Sequence, residues 1–200
     1  MRPFWNSNTQ YHRLVLDALP PGASRVLDVG CGDGILSAEL AEAGVPQVVA
    51  LDADRPVLDR ARRRHEGRGI EWLQGDVHTA AFEHESFDAV VSVAALHHMD
   101  AARSLVRFAQ LVRPGGTVVV VGLAANAWFD IPAAAVAIVS REVLSLVHGR
   151  WEHSAPECWP PPLTYREMKA LSARTLPGVR YRRHLLARYS LVWRKPRRTN

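Results

Sequence analysis

Val26-Leu27-Asp28-Val29-Gly30-Cys31-Gly32-Asp33-Gly34 is the stretch whose reading decides the fold. A short apolar run ends in three glycines at alternate positions, and Ile35, Leu36, Leu40 and Ala41 then follow helical spacing. The segment therefore reads as strand, glycine turn, helix. Glycines let the backbone turn sharply and approach a bound group closely. The helix that follows presents unpaired N–H groups and the positive end of its dipole. An anionic or carboxylate-bearing ligand is the natural guest. A dinucleotide loop would read Gly-x-Gly-x-x-Gly, its third glycine allowing close helix–strand packing. Here the spacing is Gly-x-Gly-x-Gly, and Ile35 sits where that third glycine belongs.

Outward from this loop the same rhythm continues. Leu14, Val15, Leu16 and Leu19 suggest a leading helix stopped by Pro20-Pro21-Gly22. Val48–Leu51 reads as a second strand, and Asp54 with Pro56 opens a helix that runs to about His65. Ile70–Leu73 and Phe87–Val93 are the third and fourth strands. Ala101–Val112 is a helix closed by Arg113-Pro114-Gly115-Gly116, and Thr117–Val121 is a fifth, fully buried strand. Strands alternating with helices predict βαβ units and a parallel sheet. The rhythm breaks at about 124–162, where a short crossover would suffice. Asp130 and Pro132 can start a long apolar helix that Gly149 ends, followed by the rigid, aromatic run Trp151–Pro162. Thr164 and Glu167 form a capping-box pattern for a helix to Thr175. Val179–Leu186 and Tyr189–Arg194 read as a closing strand pair. The expectation is one domain, 1–200, with a lid-like insertion at about 124–162.

Composition agrees with a single globular unit. The chain has 200 residues, 48% hydrophobic and 22% charged, which excludes a largely disordered protein. No apolar run approaches the ~18 residues of a membrane span, and the N-terminus has no secretory apolar core. Cys31 and Cys158 make neither a disulfide framework nor a four-ligand zinc site. A reduced, cytoplasmic protein without membrane or metal is expected. The net charge is +5 and the pI about 9.8, with arginines concentrated in Arg60–Arg68 and Arg180–Arg198. These runs read as a solvated helix face with an edge hairpin and tail, or as an electrostatic platform for RNA or an anionic substrate.

Further acids stand in register with the glycine loop. Asp28 lies on the first strand tip, Asp52 ends the second strand and can accept from both hydroxyls of a ribose, and Gly75-Asp76-Val77 follows the third, where an acid can take an adenine amino proton. Phe87-Asp88-Ala89-Val90-Val91 opens the fourth strand and Leu111-Val112-Arg113-Pro114-Gly115-Gly116 precedes the fifth. With these motifs in order from Arg25 to Leu123, the chain resembles the class I S-adenosylmethionine-dependent methyltransferases, in their small-molecule, type 11 (UbiE-like) branch. The resemblance implies an α/β, Rossmann-like sandwich with a seven-stranded, mostly parallel sheet of order 3-2-1-4-5-7-6, the last strand antiparallel. It implies S-adenosylmethionine as cofactor. Gly30, Cys31 and Gly32 would line its methionine portion, Asp28 would reach the amino group, Asp52 would hold the ribose, and Ala53 would lie against adenine. Asp76 and Val77 would contact the adenine edge, and Val93 and Ala94 would face the methionine moiety. Tyr11, in the aromatic N-terminal cluster with Phe4, Trp5 and His12, is a further candidate contact, or else a helix anchor.

Methyl transfer from a sulfonium is an in-line displacement, so the protein supplies alignment and, for a hydroxyl or amine acceptor, a base. His97 and His98 stand just beyond the fourth strand, at the rim where open α/β sheets bind ligands, and their unperturbed pKa of about 6.5 suits a base. His153 is a second candidate. Each has an ordinary structural alternative as a buried or surface histidine. Trp128, Phe129, Trp151 and Trp159 in the insertion offer flat apolar surface to an acceptor, or pack the long helix. The expected substrate is a small, flat or apolar molecule. The competing expectations are an RNA methyltransferase, disfavoured by the lack of an RNA-binding module, and a non-catalytic S-adenosylmethionine-binding protein.

Overall fold

The computed structural model describes residue 6 and residues 8–125, 160–184 and 187–198. Their strands are β1 (Arg25–Val29), β2 (Gln47–Asp52), β3 (Ile70–Gln74), β4 (Phe87–Val93), β5 (Val112–Gly122), β6 (Arg180–His184) and β7 (Arg188–Arg194). They form one seven-stranded sheet, order β3-β2-β1-β4-β5-β7-β6. The pairs among β1–β5 are parallel, and β7 runs antiparallel to β5 and β6. The expected α/β topology is therefore present, reversed last strand included.

The helices are α1 (His12–Asp17), introduced by a 3₁₀ turn at Thr9–Tyr11, α2 (Ile35–Glu42), α3 (Arg55–Arg64), α4 (Ala101–Leu111) and α5 (Tyr165–Thr175). Their starts follow local chemistry. Asp54 accepts from the Val57 N–H at 3.2 Å, and Asp100 from that of Arg103 at 3.0 Å. Thr164 and Glu167 make the reciprocal capping box that their spacing predicted.

Alternation along the strands separates two apolar layers. Val26, Val48, Val91 and Val119 pack with Val15, Leu36 and Leu40 of α1 and α2. Leu27, Val49, Val90 and Val118 pack on the other face with Leu105 and Phe108 of α4 and Met168 of α5. The buried Asp88 clips the lower end of the sheet, accepting from Ser24 N–H (2.7 Å), Ser24 Oγ (2.8 Å) and Arg25 N–H (2.9 Å) and pairing with Arg113. Burial opposes its ionisation, but these donors and the Arg113 charge outweigh it and hold the carboxyl below its ordinary range.

Two boundaries differ from expectation. β5 begins at Val112, not Thr117, because Arg113–Gly116 stays against the sheet as an irregularity between the Phe87–Val112 and Ala89–Thr117 pairs. Gly116 makes this possible, since a Cβ there would lie 2.5 Å from the Asp88 carbonyl oxygen. The closing hairpin strand β6 is shorter than Val179–Leu186, and residues 185 and 186 lie outside the described residues. So do the expected helix from Asp130 to Gly149 and the run Trp151–Trp159. The two flanks of that insertion meet, with the Ala125 N–H donating to the Leu163 carbonyl at 2.8 Å.

Candidate active site

The sheet order places β1 beside β4, the point where the crossovers leave in opposite directions and a crevice opens beyond the carboxyl ends of the strands. Gly30–Gly34 forms one wall. Gly30 has φ +70° and packs so tightly that an added Cβ would run into the Ala95 Cβ. Gly34, with φ +73°, would bring a Cβ to 2.5 Å from the Trp72 ring. Gly32 differs, because among the described residues no neighbour beyond its own chain flanks stands within 4 Å of where its Cβ would lie. The opposite wall is the end of β4, where Ala94 is held at φ +55° by its N–H bond to the Val121 carbonyl at 2.7 Å. A left-handed alanine costs about 1–2 kcal/mol, and such strain gathers where backbone must face a ligand.

Asp52 crosses from β2 to this loop. Its Oδ2 accepts from the Gly32 N–H at 2.8 Å and its Oδ1 from the Asp54 N–H at 2.9 Å. Each oxygen keeps a lone pair, so the carboxylate is fixed in orientation and still able to accept from a diol. Asp28 is 1% exposed, and Ser37 Oγ donates to it at 2.6 Å. Burial pushes its carboxyl up to about 6 against the pull of the Ser37 bond. Cys31 lies between these acids. Burial first, then Asp28 and Asp52, drives its thiol well above the ordinary range, which makes it a poor nucleophile.

The remaining expected contacts are spread along the same edge. Ala53 and Asp76 are exposed, and Asp76 Oδ1 accepts from the His78 N–H at 2.8 Å. Val77 is only 2% exposed and its side chain packs in the α4-side core, while Val93 and Ala94 are half-buried. His97 and His98 share a 3₁₀ turn, Leu96–His98, with ring centroids 4.1 Å apart. His98 is exposed; His97 Nδ1 is buried without a hydrogen-bond partner among the described residues. Burial, with the neighbouring His98 and Arg188, takes the His97 imidazole down to about 4, so it is neutral near pH 7. Tyr11 lies against His184 of the hairpin, ring centroids 5.1 Å apart. His153, Phe4, Trp5, Trp128, Phe129, Trp151 and Trp159 lie outside the described residues.

Several participants escape sequence reading. Asp33, inside the glycine loop, pairs with Arg60 and Arg64 of α3 at 3.9 and 3.6 Å, and its carbonyl bonds His65 at 3.1 Å. Part of the Arg60–Arg68 run thus braces the loop and is more than a solvated face. Within α3 Arg55 pairs with Asp59 one turn on, and that local spacing gives no hint of Asp33 as a partner for Arg60 and Arg64. Arg188 is 8% exposed and donates from Nε and Nη2 to Asn8 Oδ1 at 3.1 and 2.8 Å, a contact across 180 positions with no local signal.

The residues present fit S-adenosylmethionine: open space over Gly32 for its methionine portion, an oriented Asp52 for its ribose, and a buried carboxyl, Asp28, for its ammonium. Among the described residues no group of three His, Cys, Asp or Glu is arranged to hold a metal ion.

Comparison with known proteins agrees. The family model described as a methyltransferase domain matches residues 27–120. An uncharacterized methyltransferase of Mycobacterium tuberculosis is 44% identical over 198 residues, covering 96% of this chain and 98% of that protein. A fatty-acid O-methyltransferase of Mycolicibacterium smegmatis is 36% identical over 110 residues, 53% of this chain and 39% of that protein. Among solved structures, an S-adenosylmethionine dependent methyltransferase from Mesorhizobium loti superposes with a TM-score of 0.62 at 21% identity, over 92% of this chain and 96% of that one. Loop, strand order and full-length relative converge, and the chain belongs to the class I S-adenosylmethionine-dependent methyltransferases.

Proposed function

We propose that this enzyme methylates a small, apolar or flat acceptor, with the methyl donor seated between Gly30–Gly34 and Ala94–Ala95. The observation that carries the reading is the pairing of an open Gly32 with an Asp52 carboxylate already oriented by two N–H groups. Bound there, S-adenosylmethionine supplies an electrophilic methyl group on a sulfonium. Asp52 accepts from the ribose hydroxyls, Asp28 faces the ammonium, and Gly30, Cys31, Gly32, Val93 and Ala94 line the methionine portion. Ala53, Asp76 and Val77 border the adenine, and Tyr11 closes the N-terminal side. His97, neutral near pH 7, is the candidate base for a hydroxyl or amine acceptor; His98 and His153 are secondary candidates. The flanks of the insertion meet at Ala125 and Leu163, and residues 126–159 between them lie outside the described residues. A small apolar acceptor is supported by the fatty-acid O-methyltransferase match.

Calorimetry with S-adenosylmethionine and with NAD, followed by S-adenosylhomocysteine release against apolar and aromatic metabolites and total RNA, tests the reading. Expected are donor binding without NAD binding, and turnover with a small molecule. Saturable NAD binding with no donor binding would sink it, and turnover with RNA alone would replace the acceptor class.

A further inference from the structure

β3 ends at Gln74 and β4 begins at Phe87, on the far side of β2 and β1 in the sheet. Parallel strands are ordinarily joined through a helix, which satisfies the backbone of the crossover from within. Here residues 75–86 make the crossing without a helix or strand of their own. The sheet fixes the upstream end, where the Gly75 N–H donates to the Asp52 carbonyl at 2.9 Å. One turn follows, with the Thr79 and Ala80 N–H groups donating to the Asp76 carbonyl at 3.0 and 2.8 Å. Carbonyls beyond Asp76 are met from α4. Arg107 Nε donates to the Val77 carbonyl at 3.2 Å, and its Nη2 to those of Ala80 and Phe82 at 3.0 and 3.3 Å. Earlier on the same helix, the buried Ser104 hydroxyl lies 3.2 Å from His78 Nε2. The His78 N–H in turn holds Asp76 Oδ1 at 2.8 Å. Asp76 thus sits between a sheet anchor on Asp52 and a side-chain clamp from α4.

We infer that Arg107 is a positioning residue for the methyl donor, holding the Asp76–Phe82 segment so that the Asp76 carboxylate meets the adenine amino group. The inference rests on the placement of adenine beside Asp76. A planar guanidinium presents several donors in a fixed fork, which suits three carbonyls brought to one place; an ammonium is a point charge on a flexible stem. Hydrogen bonds weaken steeply with misalignment, and a segment that must be ordered on binding takes its ordering cost from affinity. Asp76 is exposed, so the clamp acts behind it and leaves its carboxylate able to accept. The far end of the crossing has an apolar anchor of its own, Phe82 edge-on to Phe87 with ring centroids 5.3 Å apart. Loss of the clamp therefore loosens the segment without unfolding the sheet.

The test compares S-adenosylhomocysteine with S-inosylhomocysteine, in which a carbonyl replaces the adenine amino group. A carboxylate accepts from the amine and repels the carbonyl. Calorimetry on the unaltered protein should show a preference for the adenosyl ligand of about tenfold or more, the size of a charged hydrogen bond. Arg107→Met, which keeps an apolar stem and removes every donor, should bring that preference close to one by weakening the adenosyl ligand alone. Arg107→Lys should restore part of it. Asp76→Asn should also abolish the preference, and adding Arg107→Met to it should remove nothing more, since the two act as one unit. Melting curves without ligand report on folding. Should Arg107→Met fail to fold, Arg107→Gln, whose amide still donates to one carbonyl, is judged by the same ratio. A folded Arg107 variant with its preference intact overturns the proposal. So does an equal loss for both ligands, which would leave Arg107 with a structural role only. Equal binding of the two ligands by the unaltered protein would instead remove adenine from Asp76 and the proposal with it. Binding of neither would bring down the methyltransferase reading of the site.

Discussion

Asp28 and Asp52 lie on neighbouring strands, Asp28 buried against Ser37 and Asp52 bonded to two backbone N–H groups. Asp52 accepts one backbone N–H on each oxygen, so Asp52→Asn must set an NH2 against one of those donors and also lose an acceptor for the ribose. A hydrogen bond to a charged group contributes about 1.5–3 kcal/mol. Donor affinity should fall roughly 10- to 100-fold by calorimetry, with a small drop in melting temperature; unchanged affinity would make Asp52 a loop brace only. Asp28 leads to a pH prediction. Its folded carboxyl titrates near 6, raised from 3.8 by burial. An ammonium ligand prefers the ionised form, so donor binding is strongest above pH 6. It should weaken as pH falls through 6, by up to about tenfold per unit for one proton taken up. Asp28→Asn should flatten the profile in that window, measured as Kd from pH 5 to 8. A wild-type profile already flat there would show that Asp28 does not meet the ammonium.

The glycine loop as an element separates structural from ligand-facing positions. Gly30 and Gly32 both have positive φ, +70° and +53°, but only Gly30 is backed by a neighbour, the Ala95 side chain. Gly30→Ala adds a collision to the backbone strain and should cost about 2 kcal/mol or more of stability. Gly32→Ala carries the strain alone, about 1–2 kcal/mol, but puts its methyl group into the space assigned to the methionine portion. Denaturant curves and donor titrations on both variants should show the larger stability loss for Gly30→Ala, and donor binding lost in a Gly32→Ala protein that still folds. Donor affinity intact in Gly32→Ala would move the cofactor off this wall. The loop glycines are legible in the sequence because a turn after a strand needs positive φ. Gly34 meets Trp72 and Gly30 meets Ala95, 38 and 65 positions further along the chain, and neither contact could be read locally.

For the molecule as a whole, two buried titratable groups at the active edge pull stability in opposite directions with pH. His97 is held near 4 in the folded chain against 6.5 when free. The unfolded chain therefore takes up the proton first, and the stability His97 gives is lost as pH falls from about 6.5 toward 4. Asp28 does the reverse: the folded chain takes up its proton near 6 and the unfolded chain near 3.8, so stability is gained over that descent. His97→Asn removes only the first contribution. On going from pH 7 to pH 5 the variant should gain stability relative to the wild type in urea melts. A constant difference between the two would place His97 in contact with solvent in the folded state.

Sequence by itself determined what depends on neighbours along the chain. The alternation of Val26–Val29, Ile35–Ala41 and Val48–Leu51, the caps at Asp54, Asp100 and Thr164, and the glycine spacing all follow from local backbone preference and hydrophobic period. With right-handed crossovers these suffice for the sheet and for the crevice at β1 and β4. Tertiary structure alone decided which polar groups meet there. The Arg60–Arg68 run looked like a solvated face until the fold laid Arg60 and Arg64 over Asp33. Arg188, one more arginine in a basic tail, reaches Asn8 because β7 inserts antiparallel between β5 and β6 and so begins at the edge where the parallel strands end. A charge has no period along the chain. Its partners are chosen by proximity after the strands have found their order, and one partner of Arg188, Asn8, stands 180 residues away.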